Sequence, residues 1–322
     1  MKTALIIGGG PAGCQCALWL QMLGYDAIIV EKTGRLGGLQ CESPYINNWL
    51  AGTINLQGQQ VAKNIQDHIT KMQIPVIFNS TIECIKITEN GFEVKVNNER
   101  IIVSKIVIAT GVSPKAGSFE LSKSVLIGPG NKIHKFNFTN KRVAILGGGD
   151  NAAENYSFIK EKNPDQCHVY ARTVKARSGL WKNIASCEIF TGEYEADQKL
   201  MTVSYNEDKR VYDIFVVLYG WEANIPHVFE PFRRILLDER NFIFTDAMRR
   251  TNISNIFAAG EVTQRIHPCV ATSMADGVIV AKAIQFQLEN IDDARVKDKI
   301  DKARLKNLEE LAEQAQELDM GY

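Results

Sequence analysis

The chain has 322 residues, 45% of them hydrophobic, and its 37 basic and 37 acidic side chains cancel to a formal net charge of zero. That balance gives no electrostatic footprint for nucleic acid or an anionic membrane surface, and no apolar run reaches the roughly 18 residues of a membrane span. Two domains are the default at this length, and seven scattered cysteines do not form a secreted disulfide framework, so a cytoplasmic protein is expected.

The first apolar run, Ala4-Leu5-Ile6-Ile7, breaks into glycines and resumes as a helical pattern from Pro11 to Leu23, closed by Gly24. Gly8, Gly10 and Gly13 fit G-x-G-x-x-G, which serves a tight turn, a close backbone approach to a pyrophosphate and helix packing on a strand. The N–H groups at the helix start, around Pro11 and Ala12, would point at the phosphates. A second strand, Ala27 to Val30, closes on Glu31 and Lys32, where a carboxylate accepts ribose hydroxyls. Gly34, Gly37 and Gly38 then permit close approach to a ligand or form a flexible loop. An amphipathic helix over 57–73 follows, with strands near 75–79, 82–88, 92–97 and 100–103 and an Asn90-Gly91 hairpin turn. The strand Ile106 to Ala109 ends in Thr110-Gly111, and Val112-Ser113-Pro114 reads as the exit from the domain.

The opening signal then recurs. Gly147, Gly149 and Ala152 fit G-x-G-x-x-A, with Asp150 and Asn151 between them, after the apolar run Val143 to Leu146. The next strand, Cys167 to Tyr170, ends without an acid and leads into Arg172, Lys175 and Arg177, which serve equally as a phosphate site or a solvated charged turn. Asp213 to Leu218 reads as a buried strand. Asn255 to Val262 reads as another, ending in Gly260 and Glu261, and Cys269 stands before a helix over 271–288. In the last thirty residues Leu308, Leu311, Ala312, Ala315 and Leu318 recur at helical spacing, a stripe for the body or a partner subunit. The expected fold is α/β, with two Rossmann-like, three-layer dinucleotide-binding domains, the second inserted in the first: 1–112 with 246–322, and 113–245. Two such folds in one chain imply electron traffic between two cofactors.

This order of motifs resembles the low-molecular-weight thioredoxin reductase group of flavoproteins, together with its ferredoxin/flavodoxin–NADP reductase relatives. The resemblance implies FAD on Gly8, Gly10, Pro11, Ala12 and Gly13, its ribose on Glu31, its ring by Gly37 and Gly38, and a crossover at Thr110 and Gly111. Gly260-Glu261 stands for the group's Gly-Asp, whose acid binds the ribityl chain. The second loop, with Gly147, Gly149, Asp150, Asn151 and Ala152, would belong to an NADPH-type central domain.

Three departures bear on function. No cysteine occurs between Cys84 and Cys167, so the group's Cys-x-x-Cys before the second loop is missing. The NADPH signature His-Arg-Arg-x-x-x-Arg corresponds to Ala171 through Arg177, leaving Arg172 and Arg177. The segment after Ser178 is short and carries Trp181. In these respects the chain is similar to the diflavin-linked disulfide oxidoreductases, which implies a second FAD in place of NADP(H). Trp181 would either stack on that second ring or pack in the core. Alignment with the group also sets Cys41 and Cys269 against the flavin, as a redox disulfide or as two packed thiols; Cys14, Cys16, Cys84, Cys167 and Cys187 are expected to pack. The resemblance further implies a homodimer, Tyr322 covering a flavin face or lying in a frayed tail, and thioredoxin, ferredoxin or flavodoxin as electron partner. A flavin-binding redox sensor without turnover is the reading from another class.

Overall fold

A computed structural model describes residues 2–226, 229–265 and 267–291. The helical stripe over 308–318 and Tyr322 therefore lie outside the described residues. The chain divides into two units: 1–41, 47–111 and 223–322 in the first, and 42–46 with 112–222 in the second.

In the first unit β1 (Lys2–Ile7), α1 (Pro11–Met22) and β2 (Ala27–Val30) form the opening βαβ, followed by α2 (Gly58–Lys71), β3 (Val76–Ile77), β4 (Ile82–Thr88), β5 (Gly91–Val96) and β6 (Glu99–Ile108). The sheet order is β3-β2-β1-β6-β5-β4. β2 is buried along its whole length, as a parallel strand covered on both faces must be. The two strands expected at 100–103 and 106–109 are one: the first half of β6 pairs antiparallel with β5, and its second half pairs parallel with β1.

α1 starts with Pro11 in its first turn, where a missing N–H costs nothing. It stops where Gly24 takes φ +82° and Tyr25 N–H returns to Leu20 O at 2.9 Å. In α2, Gln57 and Gln60 form a reciprocal cap, and Val61, Ile65 and Ile69 at four-residue spacing enter the core.

In the second unit β7 (Val112–Pro114), β8 (Val125–Ile127), α3 (Asn131–His134), β9 (Arg142–Leu146), α4 (Asp150–Lys160), β10 (Gln166–Ala171), α5 (Ser178–Trp181) and β11 (Ile189–Thr191) come first. β12 (Glu195–Asp197), β13 (Thr202–Tyr205) and β14 (Asp208–Val211) form an antiparallel meander, followed by β15 (Ile214–Val217) and β16 (Trp221–Ala223). The main sheet is parallel in the order β11-β10-β9-β15-β8. Tyr170, Tyr194, Val203, Tyr212 and Phe215 share one of its cores.

β17 (Ile256–Ala258) and α6 (Val270–Leu288) return to the first unit, β17 pairing with β6. The boundary differs from the expected 245. Residues from Ala223 onward belong to the first unit, because Phe232, Ile235 and Ile243 enter its core beside β6. α6 lies directly on α1: a Cβ at Gly277 would stand 2.4 Å from Ala12 O and 2.7 Å from Cys16 N. Tyr25 OH donates to Glu289 at 2.6 Å near the other end, so the two helices run parallel with their N-termini at the same end. Among the described residues no helix is long and apolar enough to cross a membrane, and no cluster of three or more His, Cys, Asp or Glu side chains could hold a metal ion.

Candidate dinucleotide sites

In the first unit the glycine positions are dictated by backbone contacts. Gly8 has φ +107°, and a side chain there would run into Ala109 O at 2.4 Å, while one at Gly13 would meet Gly8 O at 2.1 Å. Gly10 differs: the nearest atom to its Cβ position is Gly38 Cα at 3.9 Å, so that face is open toward the loop. Glu31, 7% exposed, accepts Gly9 N–H at 2.7 Å with one carboxylate oxygen and both the N–H and hydroxyl of Thr33 at 2.8 Å with the other. Lys32 beside it is exposed. Gly37 N–H donates to Gly9 O at 2.8 Å, which seats the second glycine pair against the first loop. Thr110 and Gly111 are engaged with Asn224: the Thr110 hydroxyl donates to Asn224 O at 2.5 Å, and Asn224 N–H donates to Gly111 O at 2.9 Å.

Gly260 (φ +83°) would place a Cβ 2.9 Å from that of Ala12, and its N–H donates to Asp276 at 3.0 Å. The structure thus brings Gly8 to Gly13, Glu31, Gly37, Gly38, Thr110, Gly260 and Glu261 to one end of the unit. Burial raises the Glu261 carboxyl above its usual range against the charge of Arg265.

A charged group beneath this end was missed in the sequence. Asp276, 2% exposed, pairs with Arg249 Nε at 2.8 Å and with Arg265. Burial pushes both guanidiniums below their ordinary range. The three residues lie 11 to 27 positions from one another, and no local pattern announces their meeting.

Cys41 and Cys269 are both free thiols in this structure. The buried Cys41 thiol donates to Leu36 O at 3.1 Å. Cys269 caps α6, its sulfur accepting Thr272 N–H at 3.4 Å. Burial works to raise its pKa, but hydrogen bonds from Thr272 and Ala271 and the Arg265 charge outweigh it and leave the thiol below its ordinary value. Burial instead raises Cys14 and Cys16, and pushes Cys167 up to about 12. Cys187, expected to pack, is exposed, because it stands on a single turn of 3-10 helix just before β11.

The second unit repeats the cradle. Gly147 has φ +152° with Leu218 O 2.3 Å from its Cβ position, and Ala152 is fully buried at the glycine-loop turn. Gly149 has nothing within 4 Å. Asn151 stands in the first turn of α4, and its carbonyl accepts from the Asn155 side-chain amide. Arg177 donates to Asp150 through its backbone N–H and its Nε, both at 2.8 Å. Arg172 Nε lies 3.5 Å from Glu193, with its guanidinium over the Tyr194 ring. Trp181 is partly buried and, like Ala176 and Leu180, packs against the unit's core.

Two Rossmann-type units, each with a strand-glycine-helix cradle, define a two-domain dinucleotide-binding protein. A family model described as pyridine nucleotide-disulphide oxidoreductase matches residues 2–162, half of the chain. The chain belongs to that family, and is an oxidoreductase. Similar sequences include ferredoxin–NADP reductase 2 of Bacillus subtilis, 26% identical over 80% of this chain and 83% of the relative. Thioredoxin reductase of Ureaplasma parvum is 25% identical over 86% and 94%. The crystal structure of Lactococcus lactis thioredoxin reductase matches with a TM-score of 0.74 at 20% identity, over 90% of this chain and all of that one. The bacillithiol disulfide reductase of Bacillus cereus matches with 0.73 at 18%, over 89% and 99%. The two structural likenesses support the fold.

Proposed function

We propose that the chain is an FAD-dependent oxidoreductase that passes electrons between a flavin on its first unit and a second dinucleotide on its central unit. The observation that carries this reading is the Gly9–Glu31–Gly37 arrangement, in which an open glycine turn, a held carboxylate and a second glycine pair meet at a helix N-terminus. Gly8, Gly10, Pro11, Ala12 and Gly13 would face the pyrophosphate, Glu31 with Lys32 beside it the ribose, Gly37 and Gly38 the ring, and Thr110, Gly111, Gly260 and Glu261 the chain between them. The cofactor supplies two-electron redox chemistry when bound; the protein supplies position and electrostatics.

In this proposal the central unit holds a second FAD, supported by the loss of the histidine and of one arginine from the NADPH signature at Ala171 and Thr173. The names of the relatives favour a second reading, a ferredoxin- or flavodoxin-linked NADP(H) reductase. Cys41 and Cys269 enter as a thiol pair that would cycle only if their Cα atoms come within about 7 Å. A homodimer, a thioredoxin, ferredoxin or flavodoxin partner, and a ring contact from Tyr322 complete it.

The test is flavin released per chain on denaturation, combined with anaerobic titration by NADPH and by reduced ferredoxin. Two flavins, unreduced by NADPH, support the reading. One flavin promptly bleached by NADPH returns the chain to the nicotinamide-dependent branch, and a protein that stays colourless after FAD reconstitution overturns both. Flavin that is bound but never turned over by any donor makes the chain a sensor.

A further inference from the structure

We propose that the central unit takes an adenine dinucleotide lacking a 2′-phosphate, and that Glu193, Asp150 and Glu154 are the specificity-determining residues that keep the phosphate out. This rests on the reading of the central unit as a dinucleotide site and narrows its ligand.

The two cradles can be aligned by their own hydrogen bonds. Gly8 N–H donates to Val30 O, and Gly147 N–H donates to Tyr170 O, each at 2.9 Å. That register puts Ala171 where the first unit has Glu31, and Arg172 and Thr173 where it has Lys32 and Thr33. The middle glycines agree. A Cβ at Gly9 would meet Glu31 Oε2 at 3.2 Å, and one at Gly148 would meet the Ala171 methyl at 3.0 Å and Thr173 O at 2.1 Å. The adenosine ribose of a dinucleotide therefore falls at the Gly148–Ala171–Thr173 corner.

A 2′-phosphate at this corner needs cations with donors to spare. Arg177 has its Nε on Asp150 at 2.8 Å and a terminal nitrogen 3.5 Å from Glu154. Arg172 has its Nε 3.5 Å from Glu193 and its guanidinium 5.3 Å from the centre of the Tyr194 ring. Lys175 sends its backbone N–H to Gly148 O at 2.7 Å. Its ammonium is the one cation of the three with no ion pair among the described residues. Two of the three cations are thus held by three carboxylates, and the formal charges of the six side chains cancel before any ligand arrives.

Burial and the neighbouring charge of Asp150 push the Glu154 carboxyl above the usual range, the mark of acids already crowded together. Beyond the single Lys175 ammonium, a dianionic phosphate would gain a second cation only by competing with the Arg177 or Arg172 pair, and it would sit beside these acids. A ribose with free hydroxyls brings no such charge. FAD and NAD(H) meet the requirement and NADP(H) does not, which sets this site apart from relatives named as NADP reductases.

The test is calorimetric binding of ADP-ribose and of 2′-phospho-ADP-ribose to the full-length protein with flavin retained in its first unit. ADP-ribose is expected to bind at least about tenfold more tightly, the scale of one charge-assisted contact. The Glu154→Gln, Glu193→Gln double variant should narrow that ratio, while Gly147→Val should abolish binding of both probes. Two flavins per chain, with neither probe displacing the second, also supports the proposal, because FAD has no 2′-phosphate. Equal or tighter binding of the phosphorylated probe overturns the proposal and leaves the dinucleotide reading intact. One flavin per chain with neither probe bound overturns the dinucleotide reading of the central unit and the proposal with it.

Discussion

Glu31 holds Gly9: a carboxylate at the end of the second strand accepts the N–H of the middle glycine of the first turn at 2.7 Å. The acid expected to receive a ribose therefore also fixes the turn that receives the pyrophosphate. Replacing Glu31 with Ala leaves Gly9 N–H and Thr33 N–H without acceptors and should cost about 1–3 kcal/mol of stability as well as flavin retention. Urea unfolding of the apoprotein separates the structural loss from the binding loss seen in the flavin-to-protein absorbance ratio.

Gly277→Ala adds one methyl against Ala12 O and Cys16 N and should destabilise by about 1–3 kcal/mol, because neither helix backbone can yield locally. Gly179→Ala meets nothing within 4 Å and should leave the stability unchanged or raise it by about 0.4–1 kcal/mol. Paired denaturant curves decide, and equal midpoints for the two variants would contradict the close packing of the helices.

Asp276→Asn should be the costliest of these substitutions, at about 3–5 kcal/mol, since it strands the buried charges of Arg249 and Arg265 together. The measurement is the same denaturation experiment at neutral pH.

The opening βαβ, the second glycine loop and α6 were legible because turn geometry demands glycine there and the apolar periods are long. The boundary near residue 245 was not. Phe232, Ile235 and Ile243 read as an unremarkable apolar scatter, and only the tertiary fold shows that they fill the core beside β6. The Arg249–Asp276–Arg265 group and the Asp150–Arg177 pair were hidden for the same reason: ion pairing across 11 to 27 positions leaves no local pattern. Cys187 misled because burial of a cysteine follows from its setting and not from its type.

Cys269 should be the first thiol alkylated. Its pKa lies below the ordinary thiol value, so a larger thiolate fraction survives as pH falls than at an unperturbed cysteine. Iodoacetamide labelling near pH 7, read by peptide mass spectrometry, should mark Cys269 ahead of the exposed Cys187. Faster labelling of Cys187 would show that the α6 cap does not activate its sulfur. The depressed value also means that this thiol adds stability at high pH, which is lost as pH falls through its folded-state pKa.

His168 gives a second pH effect. Burial, then the charge of Arg210, holds its imidazole below the ordinary value, while Nδ1 shares a 2.7 Å hydrogen bond with Tyr212 OH. The unfolded chain then binds the proton more readily, so stability should fall as pH drops below about 6.5 and level off below the folded-state pKa. His168→Gln should flatten that part of the stability curve measured between pH 5 and 7.5.

The seating of α6 on α1 also fixes an order of assembly during synthesis. The host unit begins with β1 but gains β17 only at Ile256, and the helix that covers Ala12 and Cys16 only after Val270. The inserted unit is complete when Glu222 leaves the ribosome, so the guest is free to fold while its host still waits for its last strand and helix. A nascent chain arrested at about residue 255 should thus protect the central sheet from protease and leave the opening βαβ, which still lacks the cover of α6, the first to be cut.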